Sequence, residues 1–564
     1  MVGTQAERRA TLDAMYPHWE CKTLWKHFET CAKKFPDETY IIFDDVTFSY
    51  RESLVQINKV TRALYRLGVR PGDHVGILFV NSPEYVWLIY ALSKLGAVKV
   101  SINTEVGKTE LSFLLTKSRV TYLFSQFYIG HDILAGCTSL KKVVVGGTNK
   151  LYTPERFLYW SQFMEQGDGD VDAEELETIT EACQDPHAVS DIMFTSGSTS
   201  MPKGVCLTHD MLLRSAYAVA YTRCFEVHRR TFAPVPLFHI FNYVEGILAL
   251  SFVGGAVIMC RQKFNPSYAL QMLKSFEANE LIILGSMLIK LLSMNPHPED
   301  FPKLHAIYTS VCTPDWLWGA ARKAFGLSDI ITGFGMTELS SAGVMTDPEM
   351  PDDYLMKYHG FPKRAGCAGL PEYGGNLIEL QIRDPVTGKP LPRETSGEIC
   401  YRGATVTKGY FDAEDINGSA FSDDGWFLSG DIGIIHENGF LTFEGRMNDT
   451  YKINGENVSP HYLDTIIGQA KEVVAVQVVG VTSPNVGEIG VAFIEATDPS
   501  EETKEKIQAY CKKNLARFQI PKYFIFSDSG TWPHTCSGKL SKKLLREYAE
   551  QLLNTGHLPG PMET

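Results

Sequence analysis

Short apolar runs alternate with amphipathic helical stretches from residue 51 onwards, and this alternation constrains the fold more than any other feature. RESLVQINKVTRALYRLG has apolar residues at helical spacing and stops at Gly68, and HVGILFV is typical of a buried strand. A second helix is predicted between the N-cap Ser82, followed by Pro83, and Gly96, with AVKVSIN as the next strand. Repeated βα alternation predicts a mainly parallel sheet covered by helices.

The pattern of the sequence changes twice further along the chain. The alternation recurs to about residue 345, and after Lys363 short β runs and glycines crowd together, which indicates a β-rich subdomain. A chain of 564 residues is too long for one ordinary core. We therefore predict an α/β protein in which residues 1–447 form a large domain of parallel-type sheets layered with helices plus the β-rich subdomain. Residues 448–564 are predicted to form a small α+β domain.

Composition excludes several classes of protein. A net charge of −13 argues against a general nucleic-acid binder, because neutralising phosphates needs a basic surface. The 12 cysteines include no CxxC pair, which favours reduced thiols and a cytoplasmic protein. The N-terminus has no apolar segment of the secretory kind. The longest apolar stretch, 246–260, is shorter than the ~20 residues of a membrane helix, so we expect a helix running into a buried strand and no integral membrane segment.

A loop rich in hydroxyls follows the apolar run DIMF and is the most informative stretch. Its sequence TSGSTSMPKG comprises Thr195, Ser196, Gly197, Ser198, Thr199, Ser200, Met201, Pro202, Lys203 and Gly204. On a loop leaving a strand, such residues present N–H and O–H donors to phosphate oxygens, and Lys203 adds a positive charge. A flexible surface turn is the alternative interpretation. A Walker A loop is excluded by the spacing of its glycines and lysine.

TSGSTSMPKG resembles the phosphate loop of the adenylate-forming superfamily, which includes acyl-CoA synthetases, peptide-synthetase adenylation domains and luciferases. Further matches to family motifs follow in the family's order: VPLFHIFN (235–242), GFGMTE (333–338), SGD (429–431), GRMNDTYKINGENVSP (445–460) and SGK (537–539). Any one motif is weak, whereas the collinear set is specific. The resemblance implies that ATP activates a carboxylic acid as an acyl-adenylate, with release of pyrophosphate, and that the acyl group then passes to a thiol. It implies ATP, Mg²⁺ and coenzyme A as cofactors.

The resemblance also assigns roles around the nucleotide. It implies that Glu338 holds the magnesium that accompanies ATP, that Thr337 donates to the α-phosphate and that adenine stacks on Phe334. Asp431 would accept both ribose hydroxyls and Arg446 would contact ribose and phosphate. The rest of the nucleotide motif is Gly333, Gly335 and Met336. Without the resemblance, each residue also has a purely structural interpretation. Glu338 would be a carboxylate at the start of a helix, Phe334 a core aromatic and Asp431 a turn residue.

Lys539, in the C-terminal SGK, is the strongest candidate for catalysis. In the family this lysine enters the active site and bridges the carboxylate and α-phosphate oxygens, where a cation stabilises the charge that develops as two anions meet. A charge pair at ~4 Å contributes about 4 kcal/mol at an effective dielectric constant near 20. Without the resemblance, Lys539 beside Lys542 and Lys543 would belong to a solvated helix face.

The second half-reaction requires the small domain to turn. The resemblance implies rotation about a hinge in GRMND, where the family usually has Asp or Lys and this chain has Asn448. Lys452 and Gly455 would then line the pantetheine tunnel, although Gly455 also suits an ordinary hairpin. LARFQIPKY (515–523) resembles CoA ligases, which favours free coenzyme A as acceptor. The alternatives are a carrier-protein thiol and a catalytically silent relative that binds nucleotide or partner proteins; a kinase is disfavoured because its motifs are missing.

The pocket for the acid is predicted around PLFHIFNYVEG, LGSML (284–288), SVCTP (310–314) and 340–344. These segments do not identify which acid is the substrate. His239 is expected to gate this pocket or touch the carboxylate, a buried core histidine being the alternative. Tyr243 and Glu245 are the candidates for binding a quaternary ammonium, whereas their apolar neighbours suit a hydrophobic acyl group. Ser200 and His534 depart from the usual motifs and look similar to the carnitine/crotonobetaine-CoA ligase branch. Ser310, Val311 and Cys312 are counted with the nucleotide-binding residues. A homodimer is the default expectation.

Overall fold

A computed structural model gives the fold. It describes residues 3–127, 129–130, 133–134, 136–146, 157–169, 172–195, 202–261, 264–310, 316–348, 350–453, 456–483, 487–533 and 540–555. Two large sheets, one four-stranded sheet and two small C-terminal sheets make up the β-structure of these ranges. The predicted α/β class, with a large layered N-terminal part and a smaller C-terminal part, is confirmed.

The first large sheet has seven strands and ends in the hairpin that carries the hydroxyl-rich loop. Its spatial order is Phe157–Tyr159, Lys142–Val145, Tyr122–Ser125, His74–Leu78, Val98–Ser101, Val189–Thr195 and Lys203–Thr208. All neighbouring strands are parallel except the last pair, which is antiparallel. The run of buried residues along these strands is typical of a sheet covered on both faces.

The second large sheet has nine strands and carries the GFGMTE motif. Its spatial order is Phe361–Pro362, Ser341–Met345, Asp329–Met336, Ala306–Ser310, Glu280–Ile283, Arg230–Phe232, Ala256–Met259, Thr39–Phe43 and Val46–Ser49. The six strands from Asp329–Met336 to Thr39–Phe43 run parallel. The outer pairs are antiparallel. The mainly parallel arrangement predicted from the alternation is therefore found in this sheet as well.

The helices cover the sheets and begin where the sequence supplies caps. Ser82 accepts a hydrogen bond from the backbone of Tyr85 at the start of one predicted helix, and Gly68 ends the other in the left-handed region with φ 100°. The α-helices of the N-terminal part are Gln5–Met15, Leu24–Lys34, Tyr50–Leu67, Pro83–Lys94, Lys108–Lys117, Trp160–Gln166, Ala173–Ala182, His209–Thr222, Ile240–Asn242, Ala249–Ser251, Pro266–Ser275, Gly285–Leu292, Trp316–Phe325, Asp352–Lys357 and Glu414–Ala420.

Short helical turns of other kinds connect these elements. A π-helical turn, Tyr243–Leu248, lies between Ile240–Asn242 and Ala249–Ser251. The 3₁₀ turns are Pro298–Asp300, Thr337–Leu339, Gly366–Ala368, Pro371–Tyr373, Met447–Asp449, Arg517–Gln519 and Ser529–Thr531. The apolar stretch 246–260 thus forms helical turns followed by a buried strand, as predicted. Within the described ranges, no helix combines the length and apolar character needed to cross a bilayer.

The glycine-rich stretch after Lys363 folds into an antiparallel sheet, as predicted. Its strands in order are Ile378–Arg383, Gly397–Gly403, Phe427–Ile435 and Leu441–Arg446. The segment after Gly403 reaches back to the seven-stranded sheet, where Tyr410 forms a bridge with Val205. This connection brings the β-rich subdomain to the hairpin of the hydroxyl-rich loop.

The C-terminal part has sheets and hydrophobic clusters of its own. Tyr451–Ile453 pairs with Glu456–Val458, and a second sheet has the order Val473–Ser483, Gly487–Ala496, Tyr523–Phe526. The helices Pro460–Gly468, Glu501–Asn514 and Lys542–Thr555 pack around it. Ser500 caps the second of these helices.

Candidate active site

The base of the hydroxyl-rich loop is a tight antiparallel pair. Thr195 lies opposite Lys203, and the Thr195 hydroxyl is 3.5 Å from the Lys203 carbonyl oxygen to which it donates. The loop is therefore anchored at both ends on one sheet edge. The predicted phosphate ligands Ser196, Gly197, Ser198 and Thr199 lie outside the described residues.

The GFGMTE motif leaves the nine-stranded sheet through a 3₁₀ turn, Thr337–Leu339. Two of its glycines are required by close packing. A Cβ on Gly333 would lie 2.1 Å from the Tyr308 hydroxyl, and a Cβ on Gly335 would lie 2.2 Å from the Ser341 carbonyl oxygen. Gly335 is exposed, and Met336 and Thr337 are half-buried at the same strand end. The motif thus carries Thr337 and Glu338 to the end of a strand, where ligands bind in open α/β sheets.

Tyr410 joins the hydroxyl-rich loop to Glu338. The backbone of its neighbour Phe411 donates to the Gly204 carbonyl over 2.7 Å, which fixes the segment on the hairpin. The Tyr410 hydroxyl donates to Oε1 of Glu338 over 2.9 Å, and the Lys203 ammonium nitrogen lies 5.4 Å from the centre of the Tyr410 ring. Sequence reasoning missed Tyr410. The only signal was its place in KGYFD, between the GFGMTE and SGD motifs.

Glu338 is a buried carboxylate whose neighbours include two positively charged side chains. Burial raises the pKa of its carboxyl, while the hydrogen bond from Tyr410 and the charges of Arg446 and Lys203 oppose the rise. A bound cation would favour the ionised form further. Among the described residues no group of three or more His, Cys, Asp and Glu could hold a metal. One carboxylate is nevertheless enough for Mg²⁺, which takes its other ligands from substrate phosphates and water.

Asp431 and Arg446 face each other across two strands of the β-rich subdomain. The strands pair the two residues in register, and Arg446 Nε is 3.5 Å from Asp431 Oδ1. Asp431 is buried, whereas the Arg446 side chain is 55% exposed. Burial raises the pKa of Asp431 to about 7; Arg446 opposes the rise, and Glu338, Asp449 and Glu398 add to it. This carboxylate therefore lies in the electrostatic field of the same site as Glu338.

Phe334, the predicted partner of adenine, already has a protein ring on one side. It stacks on Phe443 with ring centres 4.6 Å apart and 30° between the planes. Phe443 in turn lies 5.0 Å from the ring of His461, which belongs to the first helix of the C-terminal part. The aromatic predicted to hold the base is thus packed through one ring against the C-terminal part.

The polar residues predicted for the acid pocket have the following surroundings. His239 is half-buried and precedes the helix Ile240–Asn242. The Tyr243 hydroxyl donates to Asp191 over 3.3 Å, and Glu245 accepts from the backbone of Ala342 over 3.1 Å. Both Tyr243 and Glu245 are buried. The Tyr243 hydroxyl and the Glu245 carboxylate therefore each have hydrogen-bond partners inside the protein.

Apolar residues predicted for the acid pocket lie partly buried against one core. The Phe241 ring lies 5.3 Å from that of Tyr308, and Leu284 and Met287 are partly buried against the same core. Ser310 ends a strand beside Gly333, with which it is in register. Val311 and Cys312 lie outside the described residues.

The C-terminal site residues are only partly described. Lys452 is exposed on the strand Tyr451–Ile453, and its backbone N–H donates to Glu488 over 2.7 Å. Asn448 lies in the 3₁₀ turn Met447–Asp449. The predicted positions of Gly455, His534 and Lys539 lie outside the described residues.

Comparison with known proteins defines the class. The profile of the family described as AMP-binding enzyme matches residues 28–411, and the profile of the AMP-binding enzyme C-terminal domain matches residues 462–539. The chain therefore belongs to the AMP-binding enzyme family. It is an AMP-forming ligase of the acyl-CoA synthetase branch, with ATP, magnesium and coenzyme A as its cofactors.

Its relatives are similar over nearly their whole length. The chain is 30% identical to "Putative acyl-CoA synthetase YngI" of Bacillus subtilis (strain 168), over 94% of this chain and 98% of that one. It is 26% identical to the mitochondrial medium-chain acyl-CoA ligase ACSF2 of Macaca fascicularis, over 95% and 88%. Its fold is similar to the crystal structure of the anthranilate CoA ligase AuaEII with anthranoyl-AMP, with a TM-score of 0.82 and 22% identity over 96% and 99% of the two chains.

Proposed function

We propose that this ligase activates a hydrophobic carboxylic acid, and that its residues act in the roles given below. The observation that carries the proposal is the link through Tyr410. It holds the carboxylate of Glu338 beside the base of the hydroxyl-rich loop, with Lys203 near the same ring. Donors for phosphate and a ligand for a cation thus lie on neighbouring chain segments, as a site for a metal–nucleotide complex requires.

In the first half-reaction a carboxylate oxygen of the acid attacks the α-phosphorus of ATP, and the bond to pyrophosphate breaks. The hydroxyl-rich loop and Lys203 hold the phosphates, Thr337 donates to the α-phosphate, and Asp431 accepts from the ribose. Lys539 neutralises the charge that develops between the two anions. Magnesium supplies charge neutralisation on the phosphates when bound, and Glu338 is the residue that would hold it.

In the second half-reaction the thiolate of coenzyme A attacks the acyl carbonyl, and AMP leaves. We propose that residues 448–564 turn about the segment at Asn448, so that Lys452 and Gly455 line the path of the pantetheine arm. A single 3₁₀ turn, Met447–Asp449, joins the two parts there, which supports a hinge at this place. Hydrogen bonds also join the two sides of this turn; one is donated by the Ser459 hydroxyl to the Glu444 carbonyl.

The acyl group is proposed to be hydrophobic, of medium chain length or aromatic. The pocket wall supplies Phe241, Leu284 and Met287, while Tyr243 and Glu245 are occupied within the protein. The names of two similar ligases, for medium-chain acids and for anthranilate, agree with this class. A betaine such as carnitine lacks a receptor among these residues. We also propose a reducing, cytoplasmic setting, because the described cysteines form no disulfide with one another.

The test is AMP release with coenzyme A across a panel of acids. Medium-chain fatty acids and aryl acids are expected to give at least about tenfold higher kcat/KM than carnitine or crotonobetaine, since a buried apolar wall favours burial of CH₂ groups. The reverse order would overturn the proposed substrate class. Running the same panel with a holo-carrier protein in place of coenzyme A, with product masses measured, separates the two acceptors. If no acid supports pyrophosphate exchange, the remaining hypothesis is a catalytically silent relative that binds nucleotide or partner proteins.

A further inference from the structure

Glu245 is a fully buried carboxylate that the reaction described above does not use. It lies on the π-helical turn Tyr243–Leu248 and is 1% exposed. A π-helical turn inside a helix is uncommon and frequently marks a functional site. A buried carboxylate costs free energy unless it is bonded and paired, so its partners show what it stabilises.

Two of the hydrogen-bond partners of the Glu245 carboxylate belong to the turn that follows the GFGMTE motif, and the Tyr308 hydroxyl is a third. Oε1 of Glu245 accepts a hydrogen bond from the Ser341 hydroxyl and another, over 3.1 Å, from the backbone N–H of Ala342. The turn is strained, because Ser340 has φ 58° and Ser341 has φ 116°, values that non-glycine residues rarely adopt. Such a conformation persists only when its surroundings hold it. Glu245 is one of the groups that hold it.

A second buried pair holds the same turn from the other side. The Lys363 ammonium donates to the Ser215 hydroxyl over 2.5 Å, and that hydroxyl donates to the Ser340 carbonyl over 2.6 Å. Lys363 is fully buried. The Ser340 hydroxyl also donates to the Thr405 carbonyl over 2.8 Å. The turn is therefore fixed by several buried polar groups.

The turn begins next to Glu338. The Ser340 N–H donates to the Thr337 carbonyl over 3.0 Å, and the Thr407 N–H donates to the Glu338 carbonyl over 2.7 Å. Any relaxation of Ser340 and Ser341 would therefore displace Thr337 and Glu338. We infer that Glu245 is a positioning residue that acts through Ser341 to hold the Glu338 carboxylate where it meets the metal–nucleotide complex. This inference rests on the proposed role of Glu338.

The charge of Glu245 has its own support. Arg223 Nη1 lies 3.9 Å from Glu245 Oε2 and donates to the Glu245 carbonyl over 3.1 Å. Arg223 also pairs with Glu280, which accepts a hydrogen bond from Thr231 over 2.9 Å. An ionised Glu245 beside Arg223 is a stronger acceptor for Ser341 than a neutral amide would be. The Thr231 hydroxyl bonds to Glu280 and not to the turn, so Thr231 provides a control within the same ionic cluster.

The test compares Glu245→Gln, Ser341→Ala, the double variant and Thr231→Val. Each is assayed for the Mg²⁺ concentration that gives half-maximal ATP binding and for acid-dependent pyrophosphate exchange, with the Tm measured alongside. Either single variant is expected to raise the half-saturating Mg²⁺ concentration about tenfold, because one hydrogen bond to a charged group is lost or weakened. The half-saturating Mg²⁺ concentration of the double variant should exceed that of either single variant by no more than about twofold, because both changes remove the same hydrogen bond. Thr231→Val should lower the Tm alone.

The inference is overturned if Ser341→Ala changes the Tm but leaves the Mg²⁺ requirement within about twofold of the unmodified protein, as a purely structural bond would. It is also overturned if the effects of the two single variants multiply in the double variant. Ser341→Ala keeps the test decisive should Glu245→Gln fail to fold. If the unmodified protein binds ATP with Mg²⁺ but exchanges no pyrophosphate with any acid, the proposed function fails while the variants still test the position of Glu338.

Discussion

The Tyr410 hydroxyl donates a hydrogen bond to Oε1 of Glu338 over 2.9 Å, and this bond connects two residues that lie 72 positions apart in the sequence. Because Tyr410 is also bridged to Val205, on the strand that follows the hydroxyl-rich loop, the Glu338 carboxylate is tied to that loop. We propose that the second carboxylate oxygen of Glu338 meets the cation. The orientation of the Glu338 carboxylate therefore depends on Tyr410, a residue outside the GFGMTE motif.

We predict that Tyr410→Phe weakens the use of magnesium without removing it. A hydrogen bond to a charged group contributes about 1.5–3 kcal/mol, so the half-saturating Mg²⁺ concentration should rise roughly 10- to 100-fold in pyrophosphate exchange. The matched control is Tyr401→Phe. Tyr401 is also buried, but its hydroxyl makes no hydrogen bond to the residues that the structure describes. Equal Mg²⁺ requirements in the two variants would show that the bond to Glu338 has no role in magnesium use.

We predict that the affinity for ATP rises with pH through about 7 because of Asp431. Burial raises the pKa of this carboxyl from its usual 3.8 to about 7. The ionised carboxylate is a much stronger acceptor for the two ribose hydroxyls than the protonated carboxyl is. The KM for ATP should therefore fall about tenfold between about pH 6 and pH 8. Asp431→Asn should raise the KM and abolish this pH dependence; an unchanged pH profile in that variant would contradict the assignment.

The same shift gives a prediction for stability with a definite sign. Between about pH 4 and pH 7 the folded protein binds more protons at Asp431 than the unfolded chain does, so its contribution to stability falls as the pH rises through that window. Asp431→Asn should remove this fall. Chemical unfolding of the two proteins at a series of pH values checks it, and curves that run parallel from about pH 4 to 7 would count against a buried, neutral Asp431.

The sequence predicts those features that depend on neighbouring residues. Gly68 and Ser82 act through atoms a few residues away, so the ends of their helices follow from the sequence. The bond between Tyr410 and Glu338 depends on which strands pair, and no local pattern contains that information. The burial of Glu245 was missed for the same reason. Its position in the sequence suits a pocket wall, but its partners Ser341 and Arg223 come from other elements.

We predict that Phe443→Leu weakens ATP binding although Phe443 is not itself in the nucleotide motif. Phe443 supports the ring of Phe334 at 4.6 Å, and such aromatic pairs contribute about 0.5–1.5 kcal/mol beyond burial. The KM for ATP should rise about 2- to 10-fold. Phe440→Leu is the control, because Phe440 is equally half-buried but packs on Tyr354, Tyr358 and Phe361 instead. If both variants raise the KM for ATP equally, the effect comes from a general loss of aromatic packing and not from the contact between Phe443 and Phe334.

We predict that Lys539→Ala abolishes acid-dependent pyrophosphate exchange and leaves the Tm unchanged. The physical reason is that a single ammonium group offsets the repulsion between the acid's carboxylate and the α-phosphate, and water cannot replace it in a closed site. The rate of pyrophosphate exchange is measured with the acid identified from the panel, and the Tm is measured by thermal unfolding of the same variant. Exchange at the unmodified rate would remove Lys539 from the mechanism.

Two lysines of the same segment provide matched controls for Lys539. Lys543 is exposed, so Lys543→Ala should change neither exchange nor Tm. Lys542 donates to Asp464 over 2.5 Å, and Asp464 is a carboxyl whose pKa burial raises to about 6. Lys542→Ala should therefore lower stability by about 2 kcal/mol while exchange by the folded protein persists. Because the three variants each delete one ammonium group, only a charge placed at the reacting phosphate explains a loss of exchange confined to Lys539→Ala.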